Sequence, residues 1–326
     1  MFDTLMGPLW CGVVIAASTV ALAGCSSAVK GTAVPEAASR GERFEAFEAM
    51  RSIDPCALHS SEDAGRVSGL VADEIMPGPS LNTCRLELVK PTGDLPVWTV
   101  TVTAGVEFST ADRQRGQRRD IGSVSFWYMP RAVTSRDCAF VREFGPDMGI
   151  ELQVVKRDAA DRGNPCRVAR DYLLAVGRWW VNPATRADRV SVPFLPVATV
   201  DPCSALDGIA ARLDQPVDLA MSNPHSCELR SESGGGLLVV EYTVEPDPRV
   251  LLQSPSDYTA IEVAGRRGVL SHRPVSCHVR VPIDEPTLQA DQTRSDAPHS
   301  YQVVTSRSSD CDLAKRGTEA ALAAIP

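Results

Sequence analysis

Apolar and polar positions alternate with a period of two in two distant stretches. Trp98, Val100 and Val102 are separated by threonines, and Leu238, Val240, Tyr242 and Val244 are separated by Val239, Glu241 and Thr243. That period predicts strands with one buried face. Pro91-Thr92-Gly93-Asp94 and Ser233-Gly234-Gly235-Gly236 precede them and predict turns. Elsewhere the apolar spacing is three to four, the period of a helix face. It joins Phe44, Phe47 and Met50 within 42–51, then Val67, Leu70 and Val71, then Val168, Tyr172 and Val176. Leu206, Ile209, Ala210 and Leu213 repeat it, as do Leu313, Gly317, Ala320, Ala321 and Ala324.

These elements recur because the chain is duplicated. Asp54-Pro55-Cys56 returns as Asp201-Pro202-Cys203, and Cys84, Cys138 and Cys166 return as Cys227, Cys277 and Cys311 in similar contexts. The offsets are 147, 143, 139 and 145 residues, so the drift falls in loops. Four cysteines recurring in order are a strong repeat signal. Each repeat is expected to open with a helix whose N-cap is Asp and whose first position is Pro, a residue preset for helical φ with no amide hydrogen to leave unpaired. Asn164-Pro165-Cys166 repeats the arrangement at a closing helix, and Ser309-Asp310-Cys311 is a looser version.

Eight cysteines allow 105 pairings. The duplication and nearest-neighbour economy favour Cys56 with Cys84, Cys138 with Cys166, Cys203 with Cys227, and Cys277 with Cys311. Each bridge is expected to staple a helix start to a strand, contributing about 3–4 kcal/mol through the restricted unfolded chain. The expected fold is therefore α+β, two tandem similar domains at 51–180 and 199–326 joined by a proline-rich linker at 181–198. Each domain is an antiparallel sheet with packed helices and two disulfides. The tryptophans of Trp179-Trp180 are expected to pack between the domains.

The amino-terminal pattern is of another kind. An uncharged apolar run from Leu9 to Ala23 ends in Leu22-Ala23-Gly24-Cys25. It falls short of the roughly 20 residues of a spanning helix and closes on small residues, as a signal peptide does. Residues 1–24 read as a lipoprotein signal peptide, Cys25 as the lipidation site, and 25–50 as lipidated cysteine and tether. These residues contain Asp3 but no Lys or Arg, which a misplaced start codon would reconcile with a signal peptide. More than one acyl chain gives stable anchoring. The expected location is the extracytoplasmic face of the cell membrane, an oxidising setting that suits disulfides.

Without residues 1–24, 33 Lys and Arg stand against 40 Asp and Glu, a net charge of −7. That balance argues against a nucleic-acid partner. Apolar residues make up 44% of the chain, enough for globular domains.

Together the lipobox, the Val29-Lys30-Gly31-Thr32-Ala33-Val34-Pro35 tether and the Asp-Pro-Cys openings resemble actinobacterial, mycobacterial and nocardial envelope lipoproteins of unknown function. The resemblance spans most of 53–325 and implies location and fold more than activity. The first repeat departs from it at His59-Ser60-Ser61-Glu62-Asp63, where a more apolar helix is expected.

Motifs for catalysis are missing from the sequence. It contains no Gly-x-Ser-x-Gly elbow, no phosphate-cradling glycine loop and no Cys-x-x-Cys pair. His59, His225, His272, His278 and His299 show no metal-ligand spacing. The expectation is a protein with no enzymatic activity, cofactor or metal. Arg113, Arg115, Arg118 and Arg119 form the densest basic stretch, matched by Arg266-Arg267, and Phe126-Trp127-Tyr128 has no aromatic counterpart in the second repeat. Successive side chains of a strand alternate faces, so at least one of the three aromatics must point away from the core. Phe126, Trp127, Tyr128, Arg118 and Arg119 are the candidate binding residues. The expected function is a non-catalytic binding module for a small apolar or envelope-derived ligand; the alternative is a scaffolding subunit of an envelope protein complex.

Overall fold

A computed structural model describes residues 40–326, apart from 66, 68, 94, 131–135, 189–194, 255, 256, 274 and 284–299. The signal peptide, Cys25 and the tether up to residue 39 lie outside the described residues, as does part of the 181–198 linker. No described helix is long and apolar enough to cross a membrane.

Helix α1, Arg40–Ser52, carries Phe47 and Met50 fully buried on one face, as their spacing predicts. A 3-10 turn, Pro55–Leu58, and the short α2, Ser61–Ala64, lead to seven strands: β1 Val71–Pro77, β2 Thr83–Val89, β3 Pro96–Glu107, β4 Gln117–Ile121, β5 Val124–Met129, β6 Asp137–Gly145 and β7 Met148–Lys156. Helix α3, Thr110–Arg115, stands before β4, and α4, Pro165–Val181, follows β7. The second half runs α5 Ser204–Ala210, β8 Val217–Asn223, β9 Ser226–Ser231, β10 Gly236–Pro246, β11 Tyr258–Val263, β12 Arg266–Arg273, β13 Ser276–Pro282, β14 Ser300–Ser308 and α6 Cys311–Ala323.

The fold is α+β, with two antiparallel seven-stranded sheets ordered β1-β2-β3-β7-β6-β5-β4 and β8-β9-β10-β14-β13-β12-β11. Read from equivalent edges, the two orders are the same. In each, the long central strand buries one face: Trp98, Val100 and Val102 in β3, and Leu238, Val240, Tyr242 and Val244 in β10. The closing helices α4 and α6 lie on those faces. Val168, Tyr172 and Val176 are buried under α4, and Leu313, Gly317 and Ala321 under α6.

All four disulfides form as the duplication indicated: Cys56–Cys84, Cys138–Cys166, Cys203–Cys227 and Cys277–Cys311, each with 5.0–5.1 Å between α-carbons. The residue two before the cysteine fixes three of these ends. Asp54, Asn164 and Asp201 each accept a hydrogen bond from the amide of the cysteine two residues on, at 3.0, 2.9 and 3.1 Å.

The opening helices differ from expectation. In the first repeat, the turn stops at His59, Ser60 caps a four-residue helix, and Gly65 follows it. Val67 and Leu70 are buried outside any helix, and Val71 begins β1, exposed. The polar segment that looked misplaced is itself structural. His59 is buried between the Tyr172 hydroxyl and the Cys84 carbonyl, at 2.7 and 3.2 Å. Asp63, also buried, accepts a bond from Arg178 at 2.8 Å. In the second repeat α5 begins one residue after Cys203, which is its N-cap.

The described residues, from 40 on, belong to one compact unit. Helix α1 serves both cores: Met50 packs with the cluster under α4, whereas Ala46 and Phe47 pack with the cluster under α6. Trp180 does not lie between the repeats. It is fully buried in the first core, with its ring centroid 5.4 Å from that of Phe126, while Trp179 is exposed under the Arg178 guanidinium. The seam combines apolar packing, with Leu81 and Met148 in the second cluster, and polar contacts. Arg51 donates from Nε to the Pro224 carbonyl at 3.0 Å and from Nη2 to Asp201 at 2.9 Å, and Arg186 donates to the carbonyls of Arg51 and Leu81. Gly105 sits in a β3 bulge at φ +78°, and an added Cβ would come within 2.5 Å of Pro224. Only glycine meets both the backbone angle and the close approach.

Candidate functional site

The candidate aromatic stretch divides across its strand. In β5, Phe126 is fully buried toward α4, where it packs edge-on to Phe140 and Trp180. Tyr128 lies on the same side, half-buried, with its ring 5.6 Å from Phe140 and its hydroxyl 3.9 Å from Cys166 Sγ. Trp127 points the other way, tilted against Phe108 at 5.8 Å. It lines an open cleft of about 440 Å³ with Arg118, Ser125, Arg142 and Glu143. The surroundings are polar. Arg142 is committed to the last carbonyls of α4, at Trp180 and Val181, and burial lowers its guanidinium's pKa.

The basic stretch also divides. Arg113 is buried and bridges Glu143 at 2.8 Å and Asp147 at 3.2 Å, so it belongs to the core edge. Arg115 pairs with Asp112 at 2.6 Å. Arg118 and Arg119 stand exposed on β4, an edge strand, bonded to Ser125 and Gln117. The structure thus brings Arg118 to Trp127, its cross-strand partner, and leaves Arg119 opposite Phe126.

Two further depressions involve the second repeat, and sequence reading missed both. The larger, about 680 Å³, runs between α1 and the edge strand β8, with Phe44, Phe47 and Met221 on its apolar side and Arg43, Glu107 and Arg230 at its rim. The other, about 370 Å³, lies between α5 and α6. Small residues line it: Ala205 and Gly208 on α5, and Ala320 and Ala323 on α6. Ile209, Leu213 and Leu313 supply apolar walls, and Arg212 and Arg316 stand at the rim. Among the described residues neither of these two guanidiniums is in an ion pair, although Glu319 shares the rim. The signal that could have found this groove is the run of alanines in α6, read together with the three-four spacing in α5.

The strongly perturbed titratable groups lie away from these grooves. Burial lowers His59 to about 4 and raises Tyr172 and Tyr242, whose hydroxyls sit inside the two cores. Burial, then the charges of Arg186 and Arg51, holds His225 well below its ordinary value; its two ring nitrogens have no hydrogen-bond partner among the described residues. Burial likewise raises the carboxyls of Glu241 and Glu245. A different grouping appears at the start of α6, where His272, Cys277 and Cys311 bring one imidazole and two sulfurs within 4.8 Å of one another. Sequence spacing concealed it because His272 faces Cys277 across the β12–β13 hairpin and Cys311 arrives 34 residues later.

No family model and no curated protein matches this chain. Among solved structures, crystal form I of TP0453 aligns at a TM-score of 0.20 with 8% identity, covering 87% of this chain and 92% of that one. The di-domain ARO/CYC StfQ from the steffimycin biosynthetic pathway aligns at 0.17 with 10% identity, covering 78% and 81%. Likeness at this level identifies neither a fold family nor an activity.

Proposed function

We propose that this chain is an extracytoplasmic, lipid-anchored binding module of two tandem four-cysteine domains, related to the actinobacterial envelope lipoproteins it resembles, and that it acts without catalysis. Cys25 anchors it, and the four disulfides suit an oxidising compartment. The observation that carries the binding role is the α5–α6 groove: a largely apolar surface depression lined also by Arg212 and Arg316, which have no ion-pair partners among the described residues. Pockets of this size and lining take small molecules through apolar contact, with a few polar groups fixing orientation. The ligand class that matches is an anionic amphiphile, with a single acyl or isoprenoid chain along Ile209, Leu213 and Leu313 and its charged head between the guanidiniums. On this reading binding belongs to the second repeat, whereas the Phe126–Tyr128 stretch suggests the first.

The test is native mass spectrometry of residues 26–326 purified from an actinobacterial host, followed by titration with palmitate and lysophosphatidate. A retained or added anionic amphiphile should bind at one per chain. Arg212→Ala with Arg316→Ala should weaken it tenfold or more, since charge-assisted hydrogen bonds are lost. Binding that survives this double substitution but fails in Trp127→Ala would move the site to the β5 cleft.

A second reading, scaffolding for another envelope protein, draws on the α1–β8 groove. It runs along a sheet edge, where an extended segment of a partner adds as a strand. Co-purification of a second polypeptide, lost on Met221→Lys, would favour it.

A further inference from the structure

We propose that Cys277, Cys311 and His272 form a binding site for a thiophilic divalent cation of the zinc class, available whenever the Cys277–Cys311 bridge is open and excluded when it is closed. The three donor atoms already converge within 4.8 Å of one another. The α-carbons of the two cysteines are 5.1 Å apart, and tetrahedral Zn–S bonds of about 2.3 Å need sulfurs about 3.8 Å apart, a separation reached by side-chain rotation alone. His272 is exposed and Cys311 half-buried, so the cation has a route in and water completes the fourth position.

The local sequence suits a thiolate. Cys311 is the first residue of the thirteen-residue α6, where the amide dipoles stabilise negative charge. Among the described residues this is the one disulfide with both sulfurs within 4.8 Å of a histidine ring nitrogen; the matching bridge of the first repeat, Cys138–Cys166, has the Tyr128 hydroxyl nearby instead. The balance is simple. A dithiol reductant gives two electrons and two protons to the bridge, becoming a disulfide itself, and the two new thiols release their protons as the cation binds. A newly exported chain carries the same two thiols before any oxidation, so cation binding and bridge formation compete for them.

The experiment uses the full-length protein in detergent with Cys138→Ala and Cys166→Ala, which removes the other bridge that has a half-buried sulfur. Limiting phosphine then opens Cys277–Cys311, confirmed by alkylation mapping, and Co²⁺ is titrated without oxygen. One equivalent should bind, with sulfur-to-cobalt charge-transfer bands and tetrahedral d–d bands that Zn²⁺ abolishes. His272→Ala should weaken binding at least tenfold. An open bridge that gives no such bands, or equal affinity in His272→Ala, overturns the proposal. Should circular dichroism show that the opened chain has unfolded, the decisive variant is Cys277→His with Cys311→His in otherwise native protein. That imidazole set must bind one Zn²⁺ without reductant in a His272-dependent manner, and failure to do so overturns the site equally.

Discussion

Helices α4 and α6 close equivalent sheets from equivalent disulfides, yet they fill the space beneath them in opposite ways. Helix α4 sends large side chains inward, Tyr172, Leu173, Val176 and Trp180, all fully buried. Helix α6 presents, after Leu313 in its first turn, Ala314, Gly317, Thr318 and Ala321, and lies so close that a Cβ on Gly317 would come within 2.9 Å of Leu238. The first arrangement yields a filled core with aromatic contacts. The second draws the helix onto the sheet and leaves small residues beside α5, where the groove forms. One scaffold has been used once for packing and once for a surface depression.

The sharpest test of that contrast is truncation of the bulk under α4. Trp180→Ala should cost about 3–5 kcal/mol in urea unfolding, and Trp180→Phe much less, since the ring contact with Phe126 survives and a buried indole N–H without a partner is removed. A loss below 1 kcal/mol for Trp180→Ala would mean that the first core is not the filled one.

Acid should act next most strongly, through both repeats. His59 has its pKa lowered to about 4, so below its unfolded value of about 6.5 the unfolded chain binds the extra proton. Its stabilising effect is therefore complete above pH 6.5 and is lost as pH falls toward 4, a change of about 3 kcal/mol for a fully buried ring. His225 shifts in the same direction. Urea midpoints measured from pH 7.5 to 4.5 should show a slope that His59→Gln and His225→Gln each reduce by about one proton. An unchanged slope in either variant would show that the ring protonates in the folded state.

The interior glycines of α4 and α6 should then respond with opposite signs. Gly177 in α4 has open space around a Cβ, so Gly177→Ala should stabilise by about 0.5–1 kcal/mol, whereas Gly317→Ala must displace Leu238 and should destabilise by about 1 kcal/mol. Equal effects in thermal unfolding would break the comparison. Smallest of all, Arg118→Ser on the exposed edge strand β4 should change stability by no more than about 0.5 kcal/mol.

Much of this architecture was legible in the chain. Period-two strands β3 and β10 and all four bridges follow from local patterns repeated twice, and the α1 face from its own three-residue spacing. The first opening helix was not legible, because His59 and Asp63 look like surface residues until Tyr172 and Arg178 arrive from more than a hundred positions away. Trp180 misled for the complementary reason: a tryptophan pair at a repeat boundary looks like an interface, yet helical phase turned one ring into the first core and the other to solvent. The grooves and the His272 cluster were hidden because each joins elements distant in sequence, and no spacing rule sees across a hairpin or between two helices.

Helix α1 divides its side chains between the two cores, Met50 to one and Phe47 to the other. Neither copy of the duplicated unit could therefore be excised whole: a cut after α1 would strip a large residue from both. Damage to this one helix therefore opens a cavity in each core at once, so the two halves lose stability together rather than one at a time.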